Sequence, residues 1–220
     1  NGGNMNCIIR LINMIRSLFV KEENPNSFTI PDPKKFDESK IIQDYSVTQT
    51  WHRGWRRPLT QIKEAVIHHT AGNGNIETLK NWMLGGERKA SYVQGIGLFH
   101  FAIDKSGKIW KLGPISRWWY HSTCGQHDKH TVGIELIHKS GPFPKEQYNS
   151  LYWLLFEYLP HFCTQFNRIV SHDYNYNTYS NGRKGCPGPD FNWKALEQEM
   201  KRRKISFTTH GFEEYTLDMK

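Results

Sequence analysis

The chain has 220 residues, 37% of them hydrophobic and 14% aromatic, enough to bury a core, which excludes wholesale disorder. No run of about 18 apolar residues occurs, so no spanning helix is expected, and four cysteines are too few for a disulfide framework. Twenty-nine lysines and arginines against 21 acidic residues give a net charge of +8, with the excess mainly in residues 51–200. Such a balance suits an acidic partner: nucleic acid, anionic lipid or anionic cell wall.

Residues 1–4 precede Met5 and read as a tag remnant. Between Cys7 and Val20, Ile8, Ile9, Leu11, Ile12, Ile15, Leu18 and Phe19 form one apolar helical face. Arg10 and Arg16 interrupt it, so the segment predicts a docking helix, with an atypical signal or membrane-surface helix as the alternative. Residues 21–50 carry Pro25, Pro31 and Pro33 and predict a linker or a wrapping arm. The basic and aromatic stretch Trp51-His52-Arg53-Gly54-Trp55-Arg56-Arg57-Pro58 either grips nucleic acid or sugar rings or packs as part of that arm.

An organised domain is expected over 62–204, between a 1–61 extension and a 205–220 tail. Residues 64–70 predict a buried strand ended by Ala71-Gly72-Asn73-Gly74. A helix follows from Asn75 to Leu84, with Ile76, Leu79, Trp82 and Met83 on its apolar face. Leu98 to Asp104 and Ile109 to Leu112 predict a hairpin turning at Lys105-Ser106-Gly107-Lys108. Strands are expected at 131–137 and 168–171, a helix at 145–162 behind Pro144, and a last helix at 193–203. Strands alternating with helices predict an α/β domain.

His68 and His172 stand at strand ends, and Cys186 lies in Lys184-Gly185-Cys186-Pro187-Gly188-Pro189. Neutral imidazole and thiolate are good zinc ligands, and three of them leave a fourth position open. Spacing alone leaves structural roles equally open for residues so far apart. The local wording is more specific: Val66-Ile67-His68-His69-Thr70-Ala71-Gly72, then Phe99-His100-Phe101-Ala102-Ile103-Asp104 with Ser106-Gly107-Lys108-Ile109, Trp119-Tyr120-His121-Ser122, Val132-Gly133-Ile134-Glu135-Leu136, and Val170-Ser171-His172 before Lys184 to Pro189 and Phe191. In this order the motifs resemble the zinc-dependent N-acetylmuramoyl-L-alanine amidases of the amidase-2 family. That family includes T7-type lysozyme, anhydro-muropeptide amidases and peptidoglycan recognition proteins. The resemblance spans roughly Ile62 to Met200.

The resemblance implies a T7 lysozyme-like amidase fold, an α/β domain with a central mixed β-sheet flanked by helices, here behind an N-terminal extension. It implies one Zn2+ per chain, held by His68, His172 and Cys186, where some relatives use aspartate in the last position. Glu135 would be the catalytic carboxylate and Lys184 the group that stabilises the oxyanion. His121, Trp119 and Phe99 would line the cleft and bind substrate. Several relatives have a catalytic tyrosine where Phe99 stands, so Glu135 would carry the proton work. His69 would face away from the metal, because strand side chains alternate. The stretch 173–183 is longer than the family pattern and is expected to be a lid or sugar-contacting loop.

The reaction implied is hydrolysis of the amide between N-acetylmuramic acid and L-alanine, in peptidoglycan or muropeptides. The setting would be the bacterial cell wall or periplasm, or that of a phage lysin acting from the host cytoplasm. A monomer is expected, without nucleic acid, and with wall or membrane-surface contact through the extension. The rivals are a peptidoglycan-recognition module that does not cut, a basic nucleic-acid binder, and an interaction role added to the amidase. A zinc protease lacks its His-Glu-x-x-His motif. With Cys186 a ligand, Cys7, Cys124 and Cys163 remain, an odd number that gives no sign of stable disulfides.

Overall fold

A computed structural model of the chain describes residues 37–47, 54–72, 74–84, 98–122, 125–180 and 185–210, all within the compact unit Pro31–Lys220. The expectations for residues 1–4, for the helix at Cys7 to Val20, and for Trp51 to Arg53, Cys7, Cys124 and Lys184 fall outside the described residues. The elements run β1 (Ile41–Gln43), β2 (Trp55–Arg56), β3 (Glu64–His69), α1 (Ile76–Met83), β4 (Phe101–Ile103), β5 (Ile109–Lys111), β6 (Arg117–Trp118), α2 (Gly125–Asp128) and β7 (Thr131–Leu136). There follow α3 (Lys145–Trp153), a π-helical turn (Leu154–Tyr158), α4 (Leu159–Phe162), β8 (Arg168–Ser171), α5 (His172–Ser180), α6 (Trp193–Arg202) and β9 (Thr208–His210).

Among the described residues, seven strands form one mixed sheet in the order β1-β5-β4-β7-β3-β8-β9, and β2 and β6 form a separate two-stranded ribbon. Of these strand pairs, only the β4–β5 hairpin is antiparallel within the large sheet. The strand β3 lies between β7 and β8, and its first five residues are buried, as a continuous apolar run requires in a parallel sheet. The edge strands β1 and β9 come from stretches read as an arm and a tail. At three residues each they are too short for an alternating pattern to be visible in sequence.

Alternation along the strands divides the core in two. On one face Ala65, Ile67, Phe101, Ile103, Val132 and Ile134 pack with Leu151, Leu154, Leu155 and Leu159 of the long helix and Leu196 of α6. On the other, Ala102 joins Leu79 and Met83 of α1, with Leu98, Phe99 and Val47. Helix α1 is capped by Asn75, whose side chain accepts from the Thr78 N–H, and Lys80 ties it to Asp44 at 2.8 Å. Contrary to the sequence pattern, Trp82 is not buried in this core: it is 47% exposed, because Ile76, Leu79 and Met83 already complete the inward stripe.

The predicted helix over 145–162 is continuous, with its middle widened into the π-helical turn. Pro160, which lacks an N–H and crowds the preceding turn, is the physical reason for that widening. The expected loop after His172 is instead helical through Ser180, the end of α5. The Ser171 hydroxyl accepts from the Tyr174 N–H at 2.9 Å and caps this helix, and Asp173 sits in its first turn.

Arg57, expected in a grip or an arm, is a buried hub. Its guanidinium donates to the carbonyls of Ile115, Asp128, Lys129 and Thr131, joining the β2–β6 ribbon to the approach to β7. Burial lowers its pKa to about 10, which leaves it charged at neutral pH. Arg57→Met should lower the unfolding free energy by about 3 kcal/mol or more, since three buried carbonyls and a half-buried one lose a charged donor, and urea denaturation measures this.

Candidate active site

Parallel pairing sets the site. The β3–β7 register places His68 opposite Glu135, so the two side chains leave the sheet on the same face. The β3–β8 register aligns Ile67 with Ser171, which brings the next residue, His172, beside His68, with ring centroids 4.3 Å apart. Cys186 arrives from a loop held by two reciprocal bonds. The Asp173 N–H donates to the Cys186 carbonyl at 2.9 Å, and the Gly185 N–H donates to the Asp173 carboxylate at 2.9 Å. The His69 N–H donates to the Cys186 sulfur at 3.3 Å, while the His69 ring lies on the opposite face of the strand, toward Phe143.

The donor atoms of His68, His172 and Cys186 lie within 4.8 Å of one another. Burial, and then the neighbouring His172 and His121, hold the His68 pKa well below the usual imidazole range, so its ring is neutral and keeps a lone pair. Two imidazoles and a sulfur are a borderline-soft donor set that suits zinc. The residues present therefore fit that ion. Burial also pushes the Glu135 carboxyl well above its ordinary pKa.

A layer of buried polar residues lies behind His68. Its Nε2 is 3.3 Å from His121 Nδ1, and His121 Nε2 is 2.9 Å from the Thr131 hydroxyl. Asp128 accepts from the N–H groups of His121 and Ser122 and from the Ser122 hydroxyl at 2.5 Å. Burial still raises its carboxyl to about 6. His100 accepts the Gly133 N–H on Nδ1, and its Nε2 lies 3.0 Å from both the Arg117 carbonyl and the Arg57 guanidinium. Gly133 has a steric reason to be glycine: a Cβ there would lie 2.9 Å from the His121 ring.

Two residues expected to bind substrate are deep in the protein. His121 is 5% exposed with its ring nitrogens directed at protein atoms, and Trp119 is 2% exposed in the core beside His100. Phe99 is buried against the His68 ring, with centroids 4.9 Å apart. The exposed surface at this point is the Trp82 ring, lying nearly parallel to Phe99 at 6.3 Å. Sequence periodicity assigned Trp82 to the core, and Asp128 and Thr131 were not singled out. The signal for this layer is a glycine, Gly133, between the β-branched Val132 and Ile134, which marks a close approach. Lys184 lies outside the described residues.

A model of the N-acetylmuramoyl-L-alanine amidase family, amidase 2, matches residues 58–189. The chain belongs to this family. The amidase fold recurs in solved structures. N-acetylmuramoyl-L-alanine amidase LysC from Clostridium intestinale URNW matches with a TM-score of 0.52 and 20% identity, over 75% of this chain and 97% of that one. The endolysin amidase LysCS of the same organism matches with a TM-score of 0.52 and 20% identity, over 75% and 95%. A selenomethionine derivative of AmpD matches with a TM-score of 0.51 and 16% identity, over 71% and 98%. A search of curated proteins returns no match. In this amidase, Gly133→Ala should displace the His121 ring and lower stability by about 1–3 kcal/mol, read from thermal unfolding.

Proposed function

We propose that the chain is a zinc-dependent peptidoglycan hydrolase that cleaves the amide between N-acetylmuramic acid and the L-alanine of the stem peptide. The observation that carries this reading is the convergence of His68, His172 and Cys186, with Glu135 on the same sheet face beside His68. When bound, zinc supplies a Lewis acid for the amide carbonyl and lowers the pKa of water.

The chain's own residues supply the rest. Glu135 takes a proton from the attacking water and delivers it to the leaving amine. Its carboxyl is favoured in the protonated form by burial, which suits the delivery half of that cycle. Lys184, two residues before Cys186, contributes positive charge to the oxyanion in this proposal. Phe99 has no hydroxyl to exchange a proton, so it serves as an apolar wall for His68, and Trp82 extends that wall to the surface. An indole face there can lie against the apolar face of a sugar ring or the stem peptide.

The net charge of +8 favours an anionic wall over a neutral substrate. The proposed setting is the bacterial wall, reached from the periplasm or from a phage-infected cytoplasm, a reading supported by the likeness to an endolysin amidase. Residues 1–61 are proposed to mediate wall or membrane-surface contact, with the protein acting as a monomer.

Purified protein should hold about one zinc per chain and release stem peptides with a free L-alanine terminus from peptidoglycan, read by mass spectrometry. Binding of peptidoglycan by the zinc-loaded protein with no peptide released would support the recognition module instead. Glu135→Gln should keep zinc and lose about 10²-fold or more in kcat, whereas His172→Ala should lose the metal. Trp82→Ala should raise KM several-fold at nearly unchanged kcat, since the ring contributes binding away from the reacting atoms.

A further inference from the structure

We infer that the exposed ring of Trp55, seated on the β2–β6 ribbon, is a second binding site, outside the candidate metal centre, for a glycan chain that carries carboxylates. Such a chain is what the proposed reaction leaves behind, so the choice of ligand rests on the hydrolase reading above. When water cleaves the amide, its oxygen stays on the acyl carbon as a carboxylate attached to the sugar, and the leaving amine gains the proton. Each stripped sugar then has an apolar ring face with one negative charge close beside it.

The ribbon offers a counterpart to the ring face. At 52% exposure Trp55 is the most exposed large hydrophobic side chain among the described residues, and neither core cluster includes it. It is still held in one orientation. One face stacks on Trp118, its partner in the ribbon register, with centroids 4.4 Å and planes 23° apart, and the Tyr120 ring stands edge-on at 5.6 Å. Gly54 sets the approach: its φ is +61°, and a Cβ there would lie 2.6 Å from the Trp119 indole. The Gly54 carbonyl also accepts from the Arg117 guanidinium at 3.1 Å. A ring fixed in this way loses little freedom when a sugar covers its outward surface.

The surrounding charge suits the carboxylate. The Lys129 ammonium stands over the Trp118 ring, 5.6 Å from its centroid, and donates to the Gln126 side chain at 3.0 Å. Strand alternation sends Arg56 and Arg117 to the other face of the ribbon, where they add to the same positive field. The carboxylates in 54–64 and 115–131 are Glu64 and Asp128, and both are buried, Glu64 against His127 and Arg168 and Asp128 against Ser122. Single-stranded nucleic acid is gripped by successive rings along a basic groove, whereas one outward ring takes one sugar at a time. Trp118 is three residues from His121, which contacts His68, and three residues span at most about 11 Å. A polymer cut at the metal centre is therefore close to the ribbon.

The test measures affinity in the full chain with a chelator present, so that nothing is cut and the result is independent of the metal. The probes are peptide-free peptidoglycan strands, chitin oligomers of equal length, which lack the carboxylate, and single-stranded DNA. The wild type should bind stripped strands more tightly than chitin, and raised salt should erase the difference. Trp55→Ala should weaken both sugar polymers about 10-fold, and Trp55→Tyr should keep most of the affinity. Lys129→Gln should bring stripped strands down toward the chitin level. Melting temperatures establish that each variant folds. A folded Trp55→Ala that binds stripped strands like the wild type overturns the inference. So does equal wild-type affinity for chitin, or tighter binding of DNA than of either sugar polymer. Binding through Trp55 by a chain that, zinc-loaded, releases no stem peptide supports the site while the hydrolase reading falls.

Discussion

The pairing of β3 with parallel neighbours on both edges is the constraint on which the site depends. Because β7 and β8 run in the same direction as β3, all three end at the same edge of the sheet. Their carboxyl ends therefore deliver side chains to one place, the usual location of function in parallel α/β sheets. The register then chooses which side chains meet. A slip of one residue would turn His69 rather than His68 toward Glu135 and would send the apolar set of β3 to the wrong core. Burial on both faces makes such a slip costly, so the packing that holds the fold also aligns His68 with Glu135 and His172.

What the sheet cannot supply is a fixed orientation for imidazole rings, and the buried polar layer does that. Arg57 organises the backbone carbonyls of 128, 129 and 131, which present Asp128 and Thr131 to His121. Such groups would be a burden to stability if left unpaired, since each buried polar atom without a partner costs about 1–3 kcal/mol. Here they satisfy one another and hold His68 from behind. The aspartate at the start of α5 plays a comparable part for the other two donors. The Asp173 main chain and side chain bond to the loop that carries Cys186, next to His172 in the chain.

The central strands and the long helix were legible in sequence because each is long enough for its period to show, and the hairpin because its turn residues Lys105-Ser106-Gly107-Lys108 mark it. Thus Arg168–Ser171 centres on the β-branched pair Ile169 and Val170, and the stripe Leu151, Leu154, Leu155, Leu159 repeats with a helical period. The candidate site was legible only as separate motif words, since nothing in spacing says that residues 68, 172 and 186 converge. The failures have local causes. A capped helix replaced a loop because Ser171 acts through one hydroxyl, a single-residue signal beside a tyrosine- and asparagine-rich stretch. Trp82 was misplaced because a residue at the edge of an amphipathic stripe satisfies the helical period whether it turns inward or outward. Trp119 and His121 sit in a motif that resembles a cleft lining, yet tertiary packing buries both.

Phe99 links these observations to the chemistry. Where several relatives place a tyrosine, this chain presents an apolar ring to His68, so no phenolic hydroxyl stands there to share the proton work. An apolar wall also lowers the local dielectric, in line with the burial that raises the Glu135 carboxyl. A cation held by the neighbouring donors acts in the opposite sense, since positive charge within a few ångströms favours the carboxylate. A general acid–base works best when its pKa lies near the working pH, because it must both take and return the proton. Burial alone would leave Glu135 reluctant to accept a proton-free state, and charge alone would leave it reluctant to protonate. In the role proposed for Glu135, their opposition would let one carboxyl serve both halves of an amide hydrolysis without help from a second titratable group at position 99.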